Sequence, residues 1–159
     1  MRYRPLGRTG LTVSEIGFGA ASYWGLRRFP EAEALGLVHR ALDLGVTLFD
    51  TAPGYSRGEA EPRLGRALRG RDLDRVVVAT KAGTFHAGGG RTGRDFSPRA
   101  LVASVEASLR RLDVEQLGLV QLHGPARAEL NDDVFEALES LRRRGLVRAF
   151  GANSFDPGV

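Results

Sequence analysis

The sequence has no cysteine, one methionine, one tryptophan and little aromatic content, 8% of its 159 residues. Without cysteine there is no disulfide framework, no thiolate metal site and no cysteine nucleophile, which suits a reducing compartment. No apolar run approaches the roughly 18 residues of a membrane-spanning helix, and the opening MRYRPLGRTG lacks the apolar core of a secretory signal. A cytoplasmic protein with no membrane partner is expected. Lysine is almost missing too: of 23 basic residues, 22 are arginine and one is Lys81. That exception stands out, because lysine can do chemistry at its amine that an always-protonated guanidinium cannot.

The net charge of +4 and a pI near 10.3 do not make a nucleic-acid binder. The basic residues are spread along the chain among 19 carboxylates, with no stripe interleaved with aromatics. The densest clusters, Arg110-Arg111 and Arg142-Arg143-Arg144, close helical patterns, where cations complement the helix dipole.

With 42% hydrophobic and 26% charged residues, the chain reads as one domain over residues 1–159, with no linker. Five apolar runs read as buried strands: 15–20 (EIGFGA), 47–52 (TLFDTA), 76–83 (VVVATKAG), 117–124 (LGLVQLHG) and 147–155 (VRAFGANSF). Helical periodicity lies between them. Leu35, Val38 and Leu42 form a stripe in 31–44, and Leu64, Ala67 and Leu68 one in 60–68. Ser97-Pro98 starts a helix carrying Leu101, Val105, Leu109 and Leu112. Asp132 or Asp133 opens another, with Val134, Leu138 and Leu141, stopped by Gly145.

Strand starts recur about every 30 to 40 residues, the length of a βαβ unit, so an α/β fold with a parallel sheet and right-handed crossovers is expected. A doubly wound sheet and part of a (β/α)-barrel both satisfy that order. Ahead of it, residues 2–13 read as a β-hairpin turning at Gly7-Arg8-Thr9-Gly10. The Gly-rich stretch 86–94 reads as a mobile loop, and its Gly88-Gly89-Gly90 lacks the spacing of a phosphate-binding loop.

In parallel sheets of this kind, function collects at the carboxyl ends of the strands. Asp50, Lys81 and His123 stand at or near three such ends, and Tyr55 lies just past one of them. Each alone has a bland reading: Asp50 a turn residue, His123 a loop histidine, Tyr55 a cover for the barrel mouth. Lys81 has the weakest one, because an ammonium closing an apolar strand needs an anion nearby, and Asp50 can be that anion.

Together the four have consistent chemistry. An ammonium beside a phenol stabilises the phenolate and makes the phenol a better proton donor. Asp50 would hold the lysine, and His123 could orient a substrate carbonyl. This set suits proton transfer to a carbonyl oxygen while a nicotinamide cofactor delivers hydride, which no side chain can supply.

The LGRTGLTVSEIGFGA opening, DTAPGY with a Glu-rich helix start behind it, the ATK and LVQLH strands, and GANSF resemble the aldo-keto reductase family over essentially the whole chain. The resemblance implies a (β/α)8 TIM barrel, NADPH as cofactor, aldehydes or ketones as substrates, and catalytic positions at Asp50, Tyr55, Lys81 and His123, with Tyr55 as general acid. It also implies cofactor contacts at Gly19, Ala20, Ala21 and Asp50, and substrate contacts at Tyr23 and Trp24; read without the family, Trp24 could equally be a packing residue. The family's Ser-Asn pair under the nicotinamide carboxamide is matched in reversed order by Asn153 and Ser154.

A barrel of this type needs about 250 residues, so the chain reads as truncated after the fifth strand, with the units that would complete the cofactor site absent. Open barrel edges and an exposed inner wall favour self-association. Two other functions stay open: an inactive fragment or interaction module, and a lyase in which Lys81 forms a Schiff base.

Overall fold

In a computed structural model, the structure describes residues 1–87 and 91–154. Tyr3–Pro5 (β1) and Thr12–Ser14 (β2) form the antiparallel hairpin. The repeating units follow: Gly17–Gly19 (β3), Glu31–Asp43 (α1), Leu48–Asp50 (β4), Ala60–Leu68 (α2) and Val77–Ala82 (β5). After them come Thr84–His86 (β6), Thr92–Arg94 (β7), Pro98–Leu112 (α3), Leu117–His123 (β8), Asp132–Arg143 (α4) and Val147–Asn153 (β9).

The five expected strands are present, shortened to the residues that pair, and Phe155 lies outside the described residues. Ser97 caps α3 by accepting from the Ala100 amide, with Pro98 in the first turn. Asn131, not Asp132 or Asp133, caps α4, accepting from the Val134 amide at 3.1 Å; its short amide has the same reach one residue earlier. No described helix is long and apolar enough to cross a membrane.

Sheet order decides between the two architectures. The parallel sheet runs β3-β4-β5-β8-β9, each strand beside its predecessor, with no reversal. A doubly wound sheet reverses direction at a switch point and places helices on both faces. Here α1, α2, α3 and α4 pack on one another in sequence as a single outer layer. This is the five-unit arc of a (β/α)8 barrel.

The two faces carry different residues. Phe49, Val78, Val120 and Leu122 point out to Val38, Leu64, Leu101, Val105 and Leu138 of the helices. Alternation along the strands sends Leu48 and Asp50, then Val77, Ala79 and Lys81, and then Leu119, Gln121 and His123, to the inner face. Its lower end is apolar: Val77 and Ala149, with Leu48 and Leu119 beside them, pack against Leu11 and Val13 of the hairpin, which plugs that end. Polar groups are therefore left to the opposite, carboxyl-terminal rim.

A second hairpin departs from the loose loop expected over 86–94. β6 pairs antiparallel with β7, Thr84 opposite Arg94, while Gly88-Gly89-Gly90 lies outside the described residues. Two three-residue strands are too short to show a period of two. The turn into β6 uses Gly83 at φ 93°, where a Cβ would collide with the Phe96 ring.

Candidate active site

Lys81 follows Ala79 by two residues on the inner face of β5, one step above Asp50, which is opposite Ala79 in the register. Its Nζ donates to Asp50 Oδ1 at 2.9 Å, to Oδ2 at 2.8 Å and to the Thr51 carbonyl at 2.9 Å. All three directions of the amine are committed, and the side chain is 4% exposed against 40% for Asp50. Burying an ammonium this deeply is tolerable only with such complete pairing. An amine so engaged is poorly placed to attack a carbonyl, which argues against Schiff-base chemistry.

Tyr55 begins a tight turn behind β4, its amide donating to the Ala52 carbonyl at 3.1 Å. Lys81 Nζ lies 4.8 Å from the centre of its ring. The His123 ring stands edge-to-face against Tyr55, centroids 5.8 Å apart at 84°. The fold thus brings Asp50, Tyr55, Lys81 and His123 into one cluster. Burial, and then the Lys81 charge, hold His123 below its ordinary pKa, with Asp50 opposing. Both effects favour the neutral imidazole, which has one ring N–H to give.

The loop carrying Tyr55 is locked to its neighbour. Ser56 and Arg57 sit at φ 55° and 61°, and Ser22 in the facing loop at φ 49°. Such positions cost about 1–3 kcal/mol each and persist only where the surroundings impose them. Ser56 Oγ donates to the Ser22 carbonyl at 2.6 Å, and Gly25 leaves the room, since a Cβ there would overlap the Ser56 side chain.

The two aromatics assigned to substrate separate. Tyr23 is exposed, with Phe29 at 5.2 Å and the Arg28 guanidinium at 5.0 Å from its ring centre. Trp24 is buried: its Nε1 donates to the Ala34 carbonyl at 3.1 Å and its ring meets Phe18 edge-on at 5.9 Å. Of the two readings of Trp24, packing is what the structure displays, because the indole N–H is satisfied inside the core.

The residues assigned to cofactor line both ends of the arc. Ala20 donates its amide to the Asp50 carbonyl at 2.8 Å, and Ala21 its amide to the Gly19 carbonyl at 3.1 Å. Asn153 is opposite His123 in the β8–β9 register and exposed, while Ser154 Oγ donates to the Pro125 carbonyl at 3.4 Å.

Two charged residues of α2 escaped the sequence reading. Arg63, buried, donates through Nη1 to the carbonyls of Trp24, Leu26 and Phe29 at 2.5, 3.2 and 3.3 Å, fixing the loop behind β3. Glu61, also buried, accepts from Thr80 Oγ1 and from Arg111 Nε, each at 2.6 Å, tying α2 to β5 and α3. A signal existed: Glu61 lies three and seven residues before Leu64 and Leu68, on the apolar face of the helix.

Known proteins resemble the chain in both sequence and fold. The chain is 35% identical over its full length to an uncharacterized oxidoreductase, YqkF, of Bacillus subtilis, and covers 51% of it. It is 34% identical to a D-threo-aldose 1-dehydrogenase of a Pseudomonas species, with 91% of this chain and 51% of that protein aligned. An aldo-keto reductase of Bacillus halodurans in its holo form superposes with a TM-score of 0.89 at 36% identity, covering 99% of this chain and 51% of that one. The chain thus spans about half the length of the relatives it matches. The sequence model of the Aldo/keto reductase family matches residues 15–159, all but the hairpin. On that match and this fold, the chain belongs to the aldo/keto reductase family of oxidoreductases.

Proposed function

We propose that this site reduces aldehydes or ketones to alcohols with NADPH, Tyr55 being the general acid. The observation that supports it best is the placement of Tyr55 between Lys81, 4.8 Å from its ring centre, and the edge-to-face His123. The Tyr55 hydroxyl gives its proton to the carbonyl oxygen as that oxygen gains charge. Lys81 stabilises the phenolate left behind, and Asp50 holds Lys81 in place. His123, neutral, directs a ring N–H at the same oxygen and orients the carbonyl.

The inner face beside these groups is kept clear by glycine. At inward-facing Gly19 and Gly151 a Cβ would meet nothing within 4 Å, and Asp50 next to Gly19 is partly exposed. Gly19, Ala20, Ala21, Asp50, Asn153 and Ser154 would hold the nicotinamide end of NADPH, which supplies the hydride when bound. The choice of the phosphorylated cofactor rests on the family resemblance. The cysteine-free composition supports a cytoplasmic setting.

The test combines NADPH binding, read by Trp24 quenching and calorimetry, with aldehyde turnover by wild type and Tyr55→Phe. Saturable binding and turnover reduced about 100-fold or more by the substitution are expected. A folded chain that neither binds nor turns over would refute catalysis by this chain and assign it as an inactive module. Light scattering on the same sample reads self-association through the edge strands β3 and β9, each with one neighbour in the sheet.

A further inference from the structure

His123 can orient a carbonyl only if the ring nitrogen facing it carries the proton, and a neutral imidazole has one proton for two nitrogens. Something must choose. His123 Nδ1 lies 2.7 Å from Thr84 Oγ1. Nδ1 is the only hydrogen-bond partner of that hydroxyl among the described residues. We propose that Thr84 is a positioning residue for carbonyl reduction: its hydroxyl donates to Nδ1 of His123, fixes the tautomer protonated at Nε2, and turns that N–H toward the substrate oxygen.

Three observations carry this. Thr84 is half-buried, so its hydroxyl proton gains by finding an acceptor, and donation to Nδ1 satisfies both groups at once. With the opposite direction, Nδ1–H to Oγ1, the hydroxyl proton has no acceptor among the described residues and Nε2 becomes an acceptor, repelling a carbonyl oxygen.

Secondly, Thr84 is held by backbone rather than by chance. Gly83 turns the chain out of β5, and the Asp95 amide donates to the Gly83 carbonyl at 2.9 Å. Arg94, opposite Thr84 in the hairpin, straps it to the end of β8 through Nη2, donating to the Gly124 carbonyl at 2.7 Å and to Glu129 at 2.9 Å. Gly124 directly follows His123, so one strap fixes hydroxyl and imidazole relative to each other.

Thirdly, the groups facing the ring are Lys81, Asp50 and Tyr55. Burial, and then the ammonium, disfavour a second proton on the imidazole, so the tautomer and not the charge is what Thr84 sets. This rests on the proposed role of His123 in carbonyl reduction, and its test is independent of turnover.

The test is long-range proton–nitrogen correlation NMR of chain labelled with 15N-histidine, at about pH 8, above the ordinary histidine pKa. His123→Gln identifies the resonances. In wild type the Nδ1 signal should be that of an unprotonated nitrogen and the Nε2 signal that of a protonated one. Thr84→Val, equal in shape and lacking the hydroxyl, should move His123 to a mixture of both tautomers, and Thr84→Ser should restore the single form. A wild-type His123 protonated at Nδ1, or one unmoved by Thr84→Val, overturns the inference. If Thr84→Val does not fold, the wild-type spectrum alone decides. Loss of reductase activity across all variants, wild type included, would refute the proposed reaction and leave this measurement readable.

Discussion

Exposure is lopsided across the Lys81–Asp50 pair, and this predicts an asymmetric response to breaking it. Asp50→Ala leaves an ammonium that is 4% exposed with the Thr51 carbonyl as its one hydrogen-bond acceptor among the described residues and the Tyr55 ring face beside it. Removing one member of a buried pair costs about 3–5 kcal/mol. Asp50 is 40% exposed, so water enters the space it vacates and the lower end, about 3 kcal/mol, applies. Lys81→Met removes the charge that is hard to solvate and keeps the apolar stem, while Asp50 stays hydrated. Its cost is about 1 kcal/mol, mostly for the unpaired Thr51 carbonyl. At about 2–4 °C per kcal/mol for a chain of this size, Tm should fall by roughly 6–12 °C for Asp50→Ala and 2–4 °C for Lys81→Met. The double variant should resemble Lys81→Met alone, because the stranded charge is gone. Thermal and urea unfolding, followed by far-UV circular dichroism and Trp24 emission, measure all three. If Lys81→Met costs as much as Asp50→Ala, or the double variant is no better than Asp50→Ala, desolvation of Lys81 is not the controlling cost and the reasoning fails.

Glu61→Ala should destabilise by about 3 kcal/mol, because it strands the Thr80 hydroxyl and the partly buried Arg111, with Glu61→Gln nearer 1 kcal/mol; urea midpoints separate them. Gly65→Ala should cost about 1–3 kcal/mol, since the new Cβ would lie 2.5 Å from the Leu112 carbonyl oxygen where α2 and α3 meet, and a neutral result would mean that the helices part freely. His123 has a folded pKa below its ordinary 6.5, so between that value and the folded pKa the unfolded chain binds more protons and stability falls with falling pH. His123→Gln should therefore flatten the stability–pH profile just below 6.5, and an unchanged slope would count against a buried neutral imidazole.

Local signals determined much of this protein. Apolar runs and helical stripes located the five strands and four helices of the repeating units, because each element needs one apolar face and the period of that face is written in the residues themselves. The same reading picked out Asp50, Tyr55, Lys81 and His123, since a lone lysine and an acid ending apolar strands are conspicuous in one dimension. Tertiary structure decided what depends on neighbours distant in sequence. The choice of barrel over doubly wound sheet lay in strand order, which every βαβ repeat leaves open. The β6–β7 hairpin lay in pairing too short to leave a period, and with it came the contact between Thr84 and His123, 39 residues apart. Trp24 packs inward because the Ala34 carbonyl of α1 meets its N–H, and Glu61 is buried because Thr80 and Arg111 arrive from other elements to satisfy it. Periodicity records which side of an element avoids water; only the assembled fold supplies the partner that lets a polar group go there as well.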